Sequence, residues 1–150
     1  MTIMINIIQA KEEHIPILIP LLDKYRIFYG QNSDEQGAQK FLEARIKNKD
    51  SIIFIAFYDG SPAGFTQLYS SFSTVSLRPI FILNDLYVYN EFRKKGVGAE
   101  LLISAQDYCM LFDYKGLALE TARNNPAHNL YERLGWKKNT SSLHYFWEAK

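Results

Sequence analysis

Between Tyr89 and Leu102 the chain reads YNEFRKKGVGAELL, three consecutive cations beside two glycines one residue apart, followed by an apolar-periodic segment. Positive charge and bare backbone at the start of a helix suit an anion. The first turn of a helix leaves four N–H groups without intrahelical partners and carries a partial positive charge, and glycine lets a phosphate come close to the backbone. Arg93, Lys94, Lys95, Gly96, Val97, Gly98 and Ala99 therefore form a candidate pyrophosphate cradle, with a tight turn and solvated lysines as the plainer alternative. The loop is not a dinucleotide-binding fingerprint, because Leu101 stands where the third glycine belongs, and not a P-loop, because no Gly-Lys-Ser/Thr follows.

Two carboxylates stand inside strand-like runs: Asp85 within Ile80 to Tyr89, and Glu120 within KGLALETA. A carboxylate in a strand interior costs free energy unless it is paired or hydrogen-bonded, so each is a candidate for acid–base work, with a structural role as the alternative. His14, His128 and His144 are far apart and lack a second ligand at metal spacing, which argues against a zinc site. Ser61 and Ser104 sit in no nucleophile elbow. The single Cys109, between Tyr108 and Met110, reads as a small core residue of a helix.

The elements that must position these groups follow from period and punctuation. Ile3 to Ile8 reads as a strand; KEEH opens a helix through about Tyr29, bent or restarted at Pro20 and closed by Gly30. Ser33 and Asp34 offer caps for a second helix with a stripe of Ala38, Phe41, Leu42, Ala44, Arg45 and Ile46. SIIFIAFY and AGFTQLY flank Asp59, Gly60 and Pro62 as a hairpin, and SSFSTVS reads as a turn before the strand from Ile80 to Tyr89. The helix after the glycine loop places Leu101, Ala105, Cys109 and Phe112 on one face. KGLALETA, PAHNLYERLG and LHYFWEA then read as strand, short helix and last strand. The predicted order is βααβββαβαβ, an α+β domain rather than a regular doubly wound one.

The 150 residues, 47% hydrophobic, suffice for one domain with its own core and are too few for two. Seventeen basic against sixteen acidic side chains give a net charge of +1, so no global field favours nucleic acid or a membrane surface. The one basic cluster, Arg93 to Lys95, has no interleaved aromatic platform for bases. The opening MTIMINIIQA lacks a basic start and meets KEEH at once, so no leader or membrane span is expected. With one cysteine, the expected compartment is the reducing cytoplasm.

In order and spacing, the strand LNDLYV, the loop FRKKGVGAELL and the segment LALETARNNPAHNLYERLGW make a set. On these residues the sequence resembles the GNAT superfamily of acetyl-CoA-dependent N-acetyltransferases, over most of the chain and most densely from Leu83 to Trp136. The resemblance implies a mixed, mostly antiparallel sheet flanked by helices over residues 1–150, and acetyl-CoA as cofactor. It implies that the strand before the loop splays from its neighbour and pairs with the pantetheine arm at Leu86, Tyr87 and Val88. The loop from Arg93 to Ala99 would then take the pyrophosphate, and Asn124, Asn129 and Tyr131 fall in the second cofactor-contacting segment.

Acyl transfer from a thioester to an amine needs a neutral nucleophile, and a lysine-like amine of pKa about 10.4 is roughly 0.04% deprotonated at pH 7. It also needs a proton for the leaving thiolate; donation from a tyrosine near 10 to a thiol near 8.5 is uphill by only about 2 kcal/mol. Tyr131 stands at the family's general-acid position, and Asp85 or Glu120 is the candidate base. The first helices wall the acceptor site in this family, which brings in Tyr25, Arg26 and Tyr29. Arg26 would hold a carboxylate in bidentate fashion or make an ordinary ion pair. The YRIFY stretch is similar to a subgroup that includes yeast enzymes acting on histones, polyamines and D-amino acids. Polyamine acetyltransferases carry acidic residues at the positions of both Asn84 and Asp85, so the neutral Asn84 speaks against a polyamine. The expectation is direct transfer to a small primary amine, with a protein or peptide amine, or coenzyme A binding without turnover, as alternatives. Many relatives are dimers through their last strands, so a homodimer through LHYFWEA is expected by analogy.

Overall fold

A computed structural model describes residues 2–149. Five strands, β1 (Ile5–Gln9), β2 (Ser51–Tyr58), β3 (Ser61–Ser73), β4 (Arg78–Val88) and β5 (Leu117–Ala118), form one sheet in chain order. The first three pairings are antiparallel and β4 with β5 is parallel. Helices α1 (Ile15–Phe28) and α2 (Glu35–Asn48) pack on one face, while α3 (Val97–Leu111) packs on the other beside the short α4 (His128–Arg133). The α+β class and the mostly antiparallel sheet agree with the sequence expectation. No described helix is long and apolar enough to cross a membrane.

Alternation along the strands feeds two cores. Ile53, Ile55 and Phe65 meet Leu18, Leu21, Leu22, Ala38 and Leu42 of the first two helices. Phe54, Ala56, Leu68, Phe81 and Leu83 meet Val97, Leu101, Leu102, Ala105 and Cys109 of α3. Each fully buried leucine or phenylalanine contributes about 1.5–3 kcal/mol. The β2–β3 hairpin turns on Asp59 and Gly60 at φ of 47° and 85°, the pair of positive values that a two-residue type I′ turn demands.

The expected elements differ from the observed ones in five places. Of KGLALETA only Leu117 and Ala118 pair, because β4 and β5 part there, so Glu120, expected in a strand interior, lies past β5 with its side chain 69% exposed. Helix α1 runs unbroken through Pro20, although proline leaves the carbonyl of Pro16 without its helical donor. The serine-rich stretch is mostly strand, because β3 continues to Ser73 and pairs with β4 down to Arg78. Phe112, expected on the buried stripe of α3, is 54% exposed just past the helix end. The last strand, LHYFWEA, is not formed: residues 136–149 carry no regular structure. A strand needs a partner edge for its backbone, and this segment lies off the sheet with Leu143, Tyr145, Phe146 and Trp147 each more than 80% exposed.

The connection from α1 to α2 is held by a buried carboxylate. Asp23 accepts hydrogen bonds from Ser33 Oγ and from the Asp34 backbone N–H, both at 2.7 Å, and Asp34 in turn caps α2 by accepting from the Gly37 N–H. The bond from the Asp34 amide, with smaller help from Ser33, holds the Asp23 pKa below the usual carboxylate value against the opposing effect of burial. Asp23→Ala is expected to destabilise the fold by about 2–3 kcal/mol, the range for a hydrogen-bonded charged group, as read from urea unfolding. Because the folded pKa lies below the unfolded value of about 3.9, this stabilisation is complete above about pH 5 and fades as pH falls through the folded value.

Candidate active site

Strands β4 and β5 pair only at Phe81 with Leu117 and Ile82 with Ala118, and beyond Ile82 they part. The gap is a cleft of two adjoining hollows, the larger of about 420 Å3, lined by Leu83 and Asn84 from β4, by Glu120 and Thr121 after β5, and by Tyr25 and Tyr29 at the end of α1. Leu86, Leu119, Asn125 and Tyr131 line the narrower one.

The course of β4 explains what faces the cleft. Gln67 of β3 pairs with Asp85, and the next residue, Leu68, pairs with Leu83, so Asn84 is an extra residue, a bulge. The bulge switches the alternation. Before it Phe81 and Leu83 pack with α3; after it Leu86 and Val88 do, while Tyr87 packs with α1. Asp85 is thereby carried to the α1 side and buried at 7% exposure. Its carboxylate accepts from Gln67 Nε2 at 2.7 Å and from Asn84 Nδ2 at 3.0 Å, which supplies the pairing that burial requires.

Tyr131 is 9% exposed and packs its ring on Trp136 at 5.8 Å between centroids, while still lining the cleft. Trp136 is fixed in turn by donating from Nε1 to Gln106 Oε1 of α3 at 3.0 Å. Burial, with a smaller contribution from Tyr29, pushes the Tyr131 pKa above the ordinary tyrosine value. The phenol therefore stays protonated through the physiological range and is a proton donor, not an anion.

The glycine loop lies between β4 and α3. Lys94 and Gly96 have φ of 62° and 88°, and the Glu100 N–H to Gly96 carbonyl bond opens the helical ladder, so the amides of Val97, Gly98 and Ala99 precede the first helical hydrogen bond. Nothing but Ile5 Cδ1, at 3.8 Å, would meet a Cβ on Gly96, whereas one on Gly98 would stand 3.2 Å from Leu130 Cδ2. Gly98 thus also serves the close approach of α4 to α3.

Not every expected contact sits in the cleft. Arg93 donates from Nε to the Val88 carbonyl at 3.0 Å and lies over the rings of Phe28 and Tyr87, so its guanidinium braces the loop against β4 and α1. Lys95 lies over Tyr58. Arg26 donates to the Asn32 carbonyl at 3.1 Å and is absent from the cleft lining, whereas Tyr25 and Tyr29 are in it. Asn124 and Asn129 are exposed; the neighbouring Asn125 lines the cleft instead, donating to Thr121 Oγ1 and accepting from the Ala127 N–H. Glu120 lines the cleft at its open side, with His144 Nε2 2.9 Å from its carboxylate. Sequence reasoning missed Gln67, Thr121, Asn125 and Gly64. At Gly64 a Cβ would stand 2.6 Å from the Tyr87 carbonyl oxygen, so glycine is required for β3 to approach β4 there. Its signal, a glycine within a strand-like run, was available.

The chain is matched by known proteins over most of its length. The pattern described as the acetyltransferase (GNAT) family matches residues 18–136. An uncharacterized N-acetyltransferase, YhfO of Bacillus subtilis (strain 168), is 47% identical over 141 residues, 93% of this chain and 95% of that protein. A probable acetyltransferase of Haemophilus influenzae (strain ATCC 51907 / DSM 11121 / KW20 / Rd) is 28% identical over 135 residues, 89% of this chain and 91% of that protein. Among solved structures, a probable acetyltransferase superposes with a TM-score of 0.90 at 36% identity, covering 97% of this chain and 98% of the other. The chain belongs to the GNAT family and is an N-acetyltransferase.

Proposed function

We propose that the protein moves the acetyl group of acetyl-CoA directly to the primary amine of a small molecule, with Tyr131 as general acid. The observation that carries this reading is the placement of a buried, protonated Tyr131 in the same cleft as Tyr25, Tyr29 and Glu120. A cleft of about 420 Å3 lies within the range of small-molecule sites, roughly 300–1,000 Å3.

The residues present fit coenzyme A. Beyond Ile82 the edge of β4 turned toward β5 has no strand partner, leaving backbone groups near Leu86 to Val88 for an extended amide-bearing chain. The amides of Val97, Gly98 and Ala99, with Lys94 and Lys95 exposed nearby, suit a diphosphate. Arg93 contributes chiefly through its bracing of the loop. When bound, acetyl-CoA supplies an activated acyl group on a sulfur leaving group. Tyr131 gives the departing sulfur its proton, the Tyr25 and Tyr29 hydroxyls and the Glu120 carboxylate orient the acceptor amine, and Glu120 directly, or Asp85 through an intervening group, takes the amine's proton. Cys109 is 5% exposed, outside the cleft lining, and burial pushes its thiol pKa up, which supports direct transfer over an acyl-enzyme. A free buried thiol also suits the cytoplasm.

The test is acetyl-CoA turnover by thiol release over spermidine, diamines, D- and L-amino acids, aminoglycosides and a histone-tail peptide, after calorimetry with coenzyme A. Turnover with one small-amine class is expected. Exclusive use of the peptide would replace the acceptor class, and binding without turnover on any amine would favour a regulatory protein.

The exposed Leu143, Tyr145, Phe146 and Trp147 support a homodimer in which this segment finds a partner edge on a second copy. The full chain is expected to run as a dimer in light scattering, and a chain ending at Ser142 as a monomer. Equal masses per particle for both would remove this role from the segment.

A further inference from the structure

Asp85 is buried, and it lines neither hollow of the cleft, whereas Tyr25 lines both. A carboxylate in that position does not touch an acceptor amine. Between the two stands Tyr25, on the α1 face of the sheet: its ring packs on Phe65 and Tyr87, the strand pair next to Gln67 and Asp85 on that face. The ring of Tyr25 is locked by edge-on packing against Phe65, Tyr87 and Tyr29 at 5.0–5.9 Å.

The support behind Asp85 is costly, which argues that it serves more than packing. Gln67 is 1% exposed and directs its amide N–H at Asp85, leaving its own Oε1 buried without a partner. An unsatisfied buried acceptor costs about 1–3 kcal/mol, and an apolar pair at these two facing strand positions would avoid it. The Gln67 and Asn84 amides each take one carboxylate oxygen, and lone pairs remain for a donor from the α1 side.

We propose that Tyr25 is a further catalytic residue, relaying the proton of the acceptor amine to Asp85, with Gln67 and Asn84 as positioning residues for that carboxylate. This rests on the acetyl-transfer reading above. The amine's N–H bond breaks and its proton moves to Tyr25 Oη, while the phenol's own proton moves to Asp85, so Tyr25 begins and ends neutral. The neutral amine's lone pair forms the new C–N bond and the pair of the broken N–H bond stays on nitrogen; the C–S bond breaks with its pair on sulfur, which takes its proton from Tyr131, and Tyr131 regains one from solvent as Asp85 gives one up. Burial, then the charge of Asp85, pushes the Tyr25 pKa above the ordinary value, so the phenol passes a proton on without standing as a tyrosinate. The other ionisable groups around Asp85 and Tyr25 are Tyr29 of α1, Tyr87 of β4, whose ring packs on Tyr25, and Tyr69 of β3, whose pKa is pushed up to about 12 by burial and by Asp85, partly offset by Arg45. Tyr69 stays outside the cleft lining, so it offers no second path from the acceptor.

The experiment measures kcat, KM for the amine and for acetyl-CoA, and the pH profile of kcat for wild type, Tyr25→Phe, Asp85→Asn and the double variant. Coenzyme A affinity and thermal midpoint are followed in parallel. A relay predicts a loss in kcat of about a hundredfold or more for each single variant. The double should be no slower than the slower single, since the two groups act as one unit. The ascending limb of the pH profile should be displaced, and coenzyme A affinity retained. If Asp85→Asn does not fold, Gln67→Leu replaces it and is expected to displace the same limb without altering KM for acetyl-CoA. Wild-type kcat with an unchanged limb in Tyr25→Phe overturns the relay alone. Wild-type protein that turns over none of the amines overturns the acetyl-transfer reading, and the relay with it.

Discussion

Tyr131→Phe is expected to lower kcat by about a hundredfold to ten-thousandfold, the range for loss of a general acid, while the dissociation constant for acetyl-CoA changes by less than about twofold. The ring stays on Trp136 and in the core beside α3, so removing one oxygen leaves packing intact and the thermal midpoint nearly unmoved. Only the proton goes. A mutant with wild-type kcat would mean that the leaving sulfur is protonated by water or by another group. The pH profile gives an independent check. A general acid acts in its protonated form, and burial raises the Tyr131 pKa above about 10, so kcat should not fall on its account below about pH 10. A descending limb near pH 8 that vanished in Tyr131→Phe would contradict this environment.

Gly96→Val is expected to weaken coenzyme A at least tenfold, by calorimetry, and to leave the global fold in place. The reason is conformational rather than steric. Space for a side chain exists, with only Ile5 Cδ1 at 3.8 Å, but φ is 88°, in the left-handed region where a β-branched residue is strained. Relief of that strain rotates the peptide planes that aim the first amides of α3. Unchanged affinity would place the diphosphate elsewhere. The corresponding change at Gly98 works differently, since an added methyl there presses on Leu130 and asks α4, which carries Tyr131, to give way.

How far the sequence alone reached differs from element to element. Periodicity was decisive where burial is one-sided, as in α2 and α3; β2, buried on both faces, was legible from its β-branched and aromatic run, and the glycine loop because its residue types admit few backbone conformations. The bulge at Asn84 was not legible, since nothing in ILNDLYV marks where pairing slips by one residue. The protein partners of Arg26 and Arg93 were not legible for a common reason: a cation's partners are set by tertiary neighbours, here the Asn32 and Val88 carbonyls, and composition does not reveal them. Asn125 rather than Asn124 faces the cleft because the turn after Ala122 selects one of two identical side chains. LHYFWEA has the composition of a strand, yet strand propensity is a preference that only a neighbour can realise.

The extra residue in β4 has a consequence for how such a protein can change. Because the alternation reverses at Asn84, Phe81 and Leu83 answer to α3 before it, and Leu86 and Val88 do so after it, while Asp85 and Tyr87 face α1. Asp85 and Tyr87 can be exchanged together with the facing turn of α1 without renegotiating the packing of Phe81, Leu83, Leu86 and Val88. Deleting Asn84 would leave Leu83 opposite Leu68 and Asp85 opposite Gln67, each side chain on its present face, and would remove only the bulge and the amide that donates to the Asp85 carboxylate.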